Sequence, residues 1–159
     1  MVSIDLSGKT AIVTGAGQGL GKEIAMRLAE AGATVHFADY VEENSRKACE
    51  EGREKGYLCV PCSRIDVAED EQMRKLIYGV AEEAGLDIMV NAAGIMYPDS
   101  LINLNPEKLR RLEDVNINGT AYGTQHAMQI MMKKHAGRII NIASIAGRHG
   151  CTTKPYYAM

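Results

Sequence analysis

The 159-residue chain has no Trp, one Phe, four Pro and four Cys. Eighteen Lys and Arg stand against 20 Asp and Glu, for a net charge of −2. That balance lacks the basic excess of a nucleic-acid binder, so no nucleic-acid partner is expected. No apolar run approaches the ~20 residues that a membrane helix needs, so no membrane partner is expected. Met1 to Gly8 has neither the charged start nor the apolar centre of a secretory signal, and a cytoplasmic location is expected. Without such a signal, the sequon Asn118-Gly119-Thr120 carries no weight.

The cysteines, Cys49, Cys59, Cys62 and Cys151, do not suggest a disulfide framework. Cys59-Val60-Pro61-Cys62 lies in an apparent strand, whereas a redox pair opens a helix whose dipole lowers the thiol pKa. It also lacks a second pair to complete a zinc site. Buried or half-buried reduced thiols are expected. The four His (36, 126, 135 and 149) are scattered without a metal-binding spacing, and no metal is expected.

What is present describes one globular domain. Hydrophobic residues make up 46% and charged residues 24%, and the length is enough to bury a core. Sixteen Gly suggest tight turns or close backbone approach to a ligand. Short apolar runs alternate with helical periods. Strands are expected at 10–14, 34–38, 57–62, 87–90 and 138–143. Leu20, Ile24, Leu28 and Ala31 share one stripe of a helix ended by Gly32. A charged, solvated helix is expected from Glu42 to Lys55, and an amphipathic one from Glu69 to Ala84 capped by Gly85. A long helix should run from Pro106 to about Lys134, with Met128, Met131 and Met132 as core or subunit interface. This order implies an α/β fold with a parallel sheet and helices on both faces.

The first strand–helix turn carries the strongest chemical signal: Thr14-Gly15-Ala16-Gly17-Gln18-Gly19-Leu20-Gly21. Glycines there let the backbone approach a phosphate, and the helix N-terminus offers free N–H groups. A kinase-type phosphate loop needs Gly where Ala16 stands and Ser or Thr where Glu23 stands. The second strand ends in Asp39, about 20 residues on, where a carboxylate can accept both ribose hydroxyls of an adenosine. It would repel a 2′-phosphate. Tyr40 rather than Arg follows, and the glycine loop carries no base, which points to NAD over NADP.

With these residues the chain resembles the classical short-chain dehydrogenase/reductase family over essentially its whole length. Thr14, Gly15, Gly19 and Gly21 match the family's TGxxxGxG pattern, with Gln18 and Leu20 inside the same cofactor-binding turn. Asp66-Val67 match its adenine-contacting pair. Asn91-Ala92-Ala93-Gly94 matches its NNAG signature, with Ala for the second Asn. Asn116, Ser144 and Tyr157 match its catalytic Asn, Ser and Tyr. Tyr157 lies thirteen residues after Ser144, and Tyr156 is one short of that spacing.

The resemblance implies a Rossmann-type doubly wound parallel sheet, strand order 3-2-1-4-5, in a single dinucleotide-binding domain spanning 1–159. It implies an NAD(H)-dependent oxidoreductase that interconverts a secondary alcohol and a ketone. Tyr157 would be the general acid/base, Ser144 would hold the substrate oxygen, and Asn116 would position a proton-relaying water. The family's Lys, four residues after the Tyr, would fall at 161, beyond the last residue. The domain is therefore expected to be incomplete at its C-terminus, its C-terminal strands missing, leaving the fifth strand as an apolar edge. As it stands, the chain is expected to be inactive. The alternative reading is a truncated or decayed relative that binds dinucleotide without catalysis. A homo-oligomer, dimer or tetramer, is implied for a full-length protein. The glycine turn and Ala38-Asp39-Tyr40 are similar to acetoin and diol reductases, and also compatible with 3-oxoacyl, polyol and hydroxysteroid enzymes.

Overall fold

The structure is a computed structural model that describes residues 4–98, 100–103 and 105–158. Five parallel strands form one sheet: β1 (Thr10–Thr14), β2 (Thr34–Ala38), β3 (Cys59–Pro61), β4 (Ile88–Asn91) and β5 (Arg138–Asn141). Their order is β3-β2-β1-β4-β5, as the family resemblance implies. Helices α1 (Gly19–Glu30), α2 (Glu42–Glu54) and α3 (Asp70–Ala84) connect the first four strands. α4 (Pro106–Glu113), a π-helical turn (Asp114–Asn118) and α5 (Gly119–Lys133) join β4 to β5.

Two cores follow from strand alternation, because successive side chains point to opposite faces. Ala11, Val13, Val35, Phe37, Ile88 and Val90 face α1 and α2, where they meet Ala25, Met26, Ala29, Ala48 and Cys49. Ile12, Ala38 and Met89 face the other way, toward Met73, Ile77 and Val80 of α3 and Ala127 and Met131 of α5. β1 is buried at every position, which explains its unbroken apolar run. Gly32, Gly56 and Gly85 follow α1, α2 and α3 with φ of 99°, 83° and 77°. No helix among the described residues is long and apolar enough to cross a membrane.

Four local expectations need correction. The third strand is shorter than 57–62, because the Tyr57 N–H donates to the Gly52 carbonyl and ties that residue to the end of α2. Pro61 has no N–H to continue the ladder, a residue suited to this edge strand. The fifth strand ends at Asn141, since Ser144 opens a turn over Ile145–Gly147 and caps it through the Ala146 N–H. The long helix is interrupted by the π-helical turn, and its methionines divide: Met131 is core, whereas Met128 and Met132 are exposed. The charged helix α2 is not solvated all round, because Ser45, Ala48, Cys49 and Gly52 form a buried stripe.

Candidate functional site

The strand order reverses direction between β1 and β4, and a crevice opens there at the carboxyl ends of the strands. That is where open α/β sheets bind ligands. At the end of β1 the Thr14 hydroxyl accepts hydrogen bonds from the Ala92 and Ala93 N–H groups, at 3.1 and 3.2 Å. This ties the glycine turn to the stretch after β4. Gly15 has φ +66°, and a Cβ there would lie 2.8 Å from the Ala93 Cα, so only glycine permits the approach. Gly21 backs onto the Gly15 carbonyl and brings α1 against the turn.

α1 begins differently from α2, α3 and α4. α2, α3 and α4 carry acids in their first turns, and Asn105 caps α4 by accepting from the Glu107 and Lys108 N–H groups. The first turn of α1 holds no acid, and Gln18 makes no side-chain cap. Gln18, Gly19 and Leu20 are exposed, and a Cβ on Gly19 would meet nothing within 4 Å. The free N–H groups and positive dipole end thus face an open cradle. These residues fit a pyrophosphate.

Asp39 follows β2 and sits beside this turn. Its carboxylate accepts from the Gly17 N–H at 2.8 Å and from the Val41 N–H at 2.9 Å. Each oxygen keeps lone-pair capacity for a ribose hydroxyl. Tyr40 is half exposed, with the Arg64 guanidinium 4.2 Å and the Arg111 guanidinium 5.7 Å from its ring centre. Arg111 Nη2 also donates to both oxygens of Asp66, at 3.1 and 2.9 Å, and the Ala68 N–H donates to Asp66 Oδ1. Asp66 and Val67 are buried beside it. Sequence reasoning did not find Arg64 and Arg111, since nothing local marks a pairing across 45 residues.

The three residues matched to the family's catalytic groups, Asn116, Ser144 and Tyr157, come together around one cavity of 800 Å³, with Leu20, Ala92 and Gly94 also in its wall. Asn116 lies in the π-helical turn, a feature frequent at functional sites. Its amide donates to the Ile95 carbonyl and accepts from the Ile95 N–H, at 2.9 and 2.8 Å, fixing the loop after β4. Asn91 lies behind the cavity wall, donating to Asn141 Oδ1 at 2.8 Å. Tyr156 is 2% exposed, and its hydroxyl is committed to the 100–105 loop: it accepts from the Asn105 N–H and lies 3.1 Å from the Ser100 carbonyl. The Tyr157 hydroxyl makes no such bond among the described residues. This separates the two neighbouring tyrosines chemically.

Cys59 and Cys62 lie away from the cavity wall, and all four cysteines are free thiols. Burial pushes the Cys49 and Cys62 thiols up to about 12, which keeps them protonated. Among the described residues, no group of three or more His, Cys, Asp or Glu could hold a metal ion.

The family model described as short chain dehydrogenase matches residues 9–159. A diacetyl reductase [(S)-acetoin forming] of Staphylococcus epidermidis is 40% identical over 141 residues, covering 87% of this chain and 54% of the relative. A gluconate 5-dehydrogenase from Burkholderia cenocepacia, solved with NADP and tartrate, superposes with a TM-score of 0.88 at 33% identity. The match covers 98% of this chain and 61% of that one. A 7α-hydroxysteroid dehydrogenase, solved with NADH and 7-oxo glycochenodeoxycholic acid, gives 0.90 at 30% identity, covering 98% and 61%. The chain therefore spans little more than half the length of the curated relative, and about three-fifths of these structures.

Proposed function

This chain belongs to the short-chain dehydrogenase family, and on that premise we propose that it serves an NAD(H)-dependent oxidoreductase that interconverts a small secondary alcohol and a ketone. The observation that carries this reading is the meeting of Asn116, Ser144 and Tyr157 on one cavity, directly beside the uncapped start of α1. Gly15, Gln18, Gly19, Leu20 and Gly21 would hold the pyrophosphate, and Asp39 the adenosine ribose, with Tyr40, Asp66 and Val67 at the adenine end. Ala92 and Gly94 would form the floor toward the nicotinamide, with Asn91 behind them. When bound, the nicotinamide ring supplies or accepts the hydride at the carbon that bears the substrate oxygen.

Tyr157 exchanges the proton of that oxygen. A free phenol has a pKa of about 10, so the reaction needs surroundings that favour phenolate. Ser144 donates a hydrogen bond to the substrate oxygen and holds it beside Tyr157. Its hydroxyl oxygen accepts from the Ala146 N–H at 3.2 Å, leaving its own proton to donate. Asn116 keeps the adjoining loop in place and orients a water for proton relay. The apolar wall of Ile95, Met96, Leu109 and Leu112 suits a small uncharged ketone.

A homo-oligomer is proposed for the whole protein, with exposed Met128 and Met132 of α5 as part of the contact. The competing reading is dinucleotide binding without turnover. NADH fluorescence titration followed by an assay with diacetyl distinguishes the two. Binding with turnover that Tyr157→Phe abolishes supports the first reading, and binding without turnover supports the second. A chain that leaves NADH fluorescence unchanged contradicts both. Asp39→Ala is expected to weaken NADH binding by about tenfold, the scale of a charge-assisted hydrogen bond. An unchanged affinity would remove the ribose assignment.

A further inference from the structure

We propose that Tyr156 is a positioning residue for Tyr157. It latches the turn that carries both tyrosines to the start of α4, so that the proton-exchanging phenol and one wall of the cavity are set as a unit. The inference rests on the reading of Tyr157 above and adds a residue whose own hydroxyl is engaged elsewhere. Both tyrosines lie on one 3₁₀ turn, Pro155–Ala158, where the Tyr157 N–H donates to the Lys154 carbonyl at 3.2 Å. A turn with three residues per revolution points consecutive side chains about 120° apart. Burying one therefore directs the other. Tyr156 is buried, and Tyr157 stands half-buried at the cavity.

The Tyr156 hydroxyl makes the latch. Its oxygen accepts from the Asn105 N–H at 3.1 Å, and its one proton lies between the Ser100 and Asn103 carbonyls, at 3.1 and 3.2 Å. The Asn103 and Ile102 N–H groups donate within that segment, to the carbonyl and the hydroxyl of Ser100. Ile102 is 92% exposed, so burial of its side chain does not hold the segment. Asn105 is also the N-cap of α4. α4 gives Leu109 and Leu112 to the cavity wall and runs on into the π-helical turn that holds Asn116. Holding Asn105 against Tyr156 thus fixes where that wall begins relative to Tyr157. Placement matters at this precision, because a displacement of about 1 Å at a reacting group can cost on the order of a hundredfold in rate. A phenylalanine would fill the same space and leave the Asn105 N–H and both carbonyls without this partner.

A chain carrying ¹³C at the tyrosine ζ carbon, with NAD⁺ and diacetyl added, tests this without turnover, since NAD⁺ has no hydride to give. The Tyr157 signal, assigned through Tyr157→Phe, should shift saturably as diacetyl is added. In Tyr156→Phe that shift should need about tenfold more diacetyl, the scale of a lost buried hydrogen bond, with NAD⁺ affinity unchanged. Hydrogen exchange gives a reading with no substitution. Coupling is reciprocal, so diacetyl should slow exchange of the Asn105 amide in the unaltered chain. Should Tyr156→Phe not fold, that exchange measurement decides alone. Weakening of diacetyl and NAD⁺ together would make Tyr156 a packing residue and overturn the proposal. An unchanged Tyr157 response, or an Asn105 amide indifferent to diacetyl, would overturn it as well. NAD⁺ binding with a Tyr157 signal that ignores diacetyl overturns the assignment of Tyr157, and this proposal with it. A chain that does not bind NAD⁺ overturns the dinucleotide reading itself.

Discussion

The Thr14 hydroxyl joins the two halves of the sheet where the crevice opens. It accepts from two successive N–H groups, those of Ala92 and Ala93, which no strand partner satisfies. Thr14→Val keeps the shape and removes the acceptor, so it should destabilise the fold by about 1–3 kcal/mol, measured as a lowered urea midpoint. The thiols give a second test. Cys49 is fully buried with its pKa near 12, whereas the Thr153 hydroxyl beside half-buried Cys151 lowers that thiol. Iodoacetamide at neutral pH should label Cys151 first, and reach Cys49 only on unfolding; mass spectrometry of a time course reads the order. At this scale the sequence was legible where a residue acts through its neighbours in the chain, as with Asp39 ending a strand. It was silent on Arg64 and Arg111, whose meeting over Tyr40 depends on how β3 and α4 are placed.

At the scale of elements, apolar patterns located the five strands and the helices α1 and α3, and the departures came from hydrogen bonding rather than hydrophobicity. The capture of Tyr57 by Gly52 shortened β3, and a wider helical turn at Asp114–Asn118 broke the long helix. Neither has an apolar period to reveal it. α5 packs on the sheet over Gly123, where a Cβ would strike the buried Asn91 Oδ1 and lie 3.1 Å from the Met89 terminal methyl. Asn91 in turn bonds Asn141 across to β5 and Thr124 on α5. Gly123→Ala should push the helix off β4 and cost about 1–3 kcal/mol, against the small gain usual for Gly→Ala in a helix. A raised melting temperature would show that the contact is looser than the structure has it.

At the scale of the whole molecule, two cores sandwich a sheet with a polar residue near its centre. His36 on β2 is 7% exposed, and burial lowers its pKa below the usual 6.5, with Glu83 pulling weakly the other way. The unfolded chain then binds the proton more readily. The associated stability is complete above about pH 6.5 and is lost as pH falls from there toward the folded-state pKa. Urea midpoints between about pH 7.5 and 5 should fall with acidification, and His36→Val should flatten that slope. The same sheet leaves β5 at its edge, with Ile140 and Ile142 44% and 37% exposed.

The fold depends on all of this, but the proposed function rests on the crevice between β1 and β4. Titration of NAD into the ¹⁵N-labelled chain, followed through backbone amide shifts, tests that directly. The account predicts that Gly17, Gly19, Leu20 and Gly21 move first and furthest, together with Asp39 and Asn116. Saturable binding that shifts amides elsewhere and leaves the glycine turn still would contradict it.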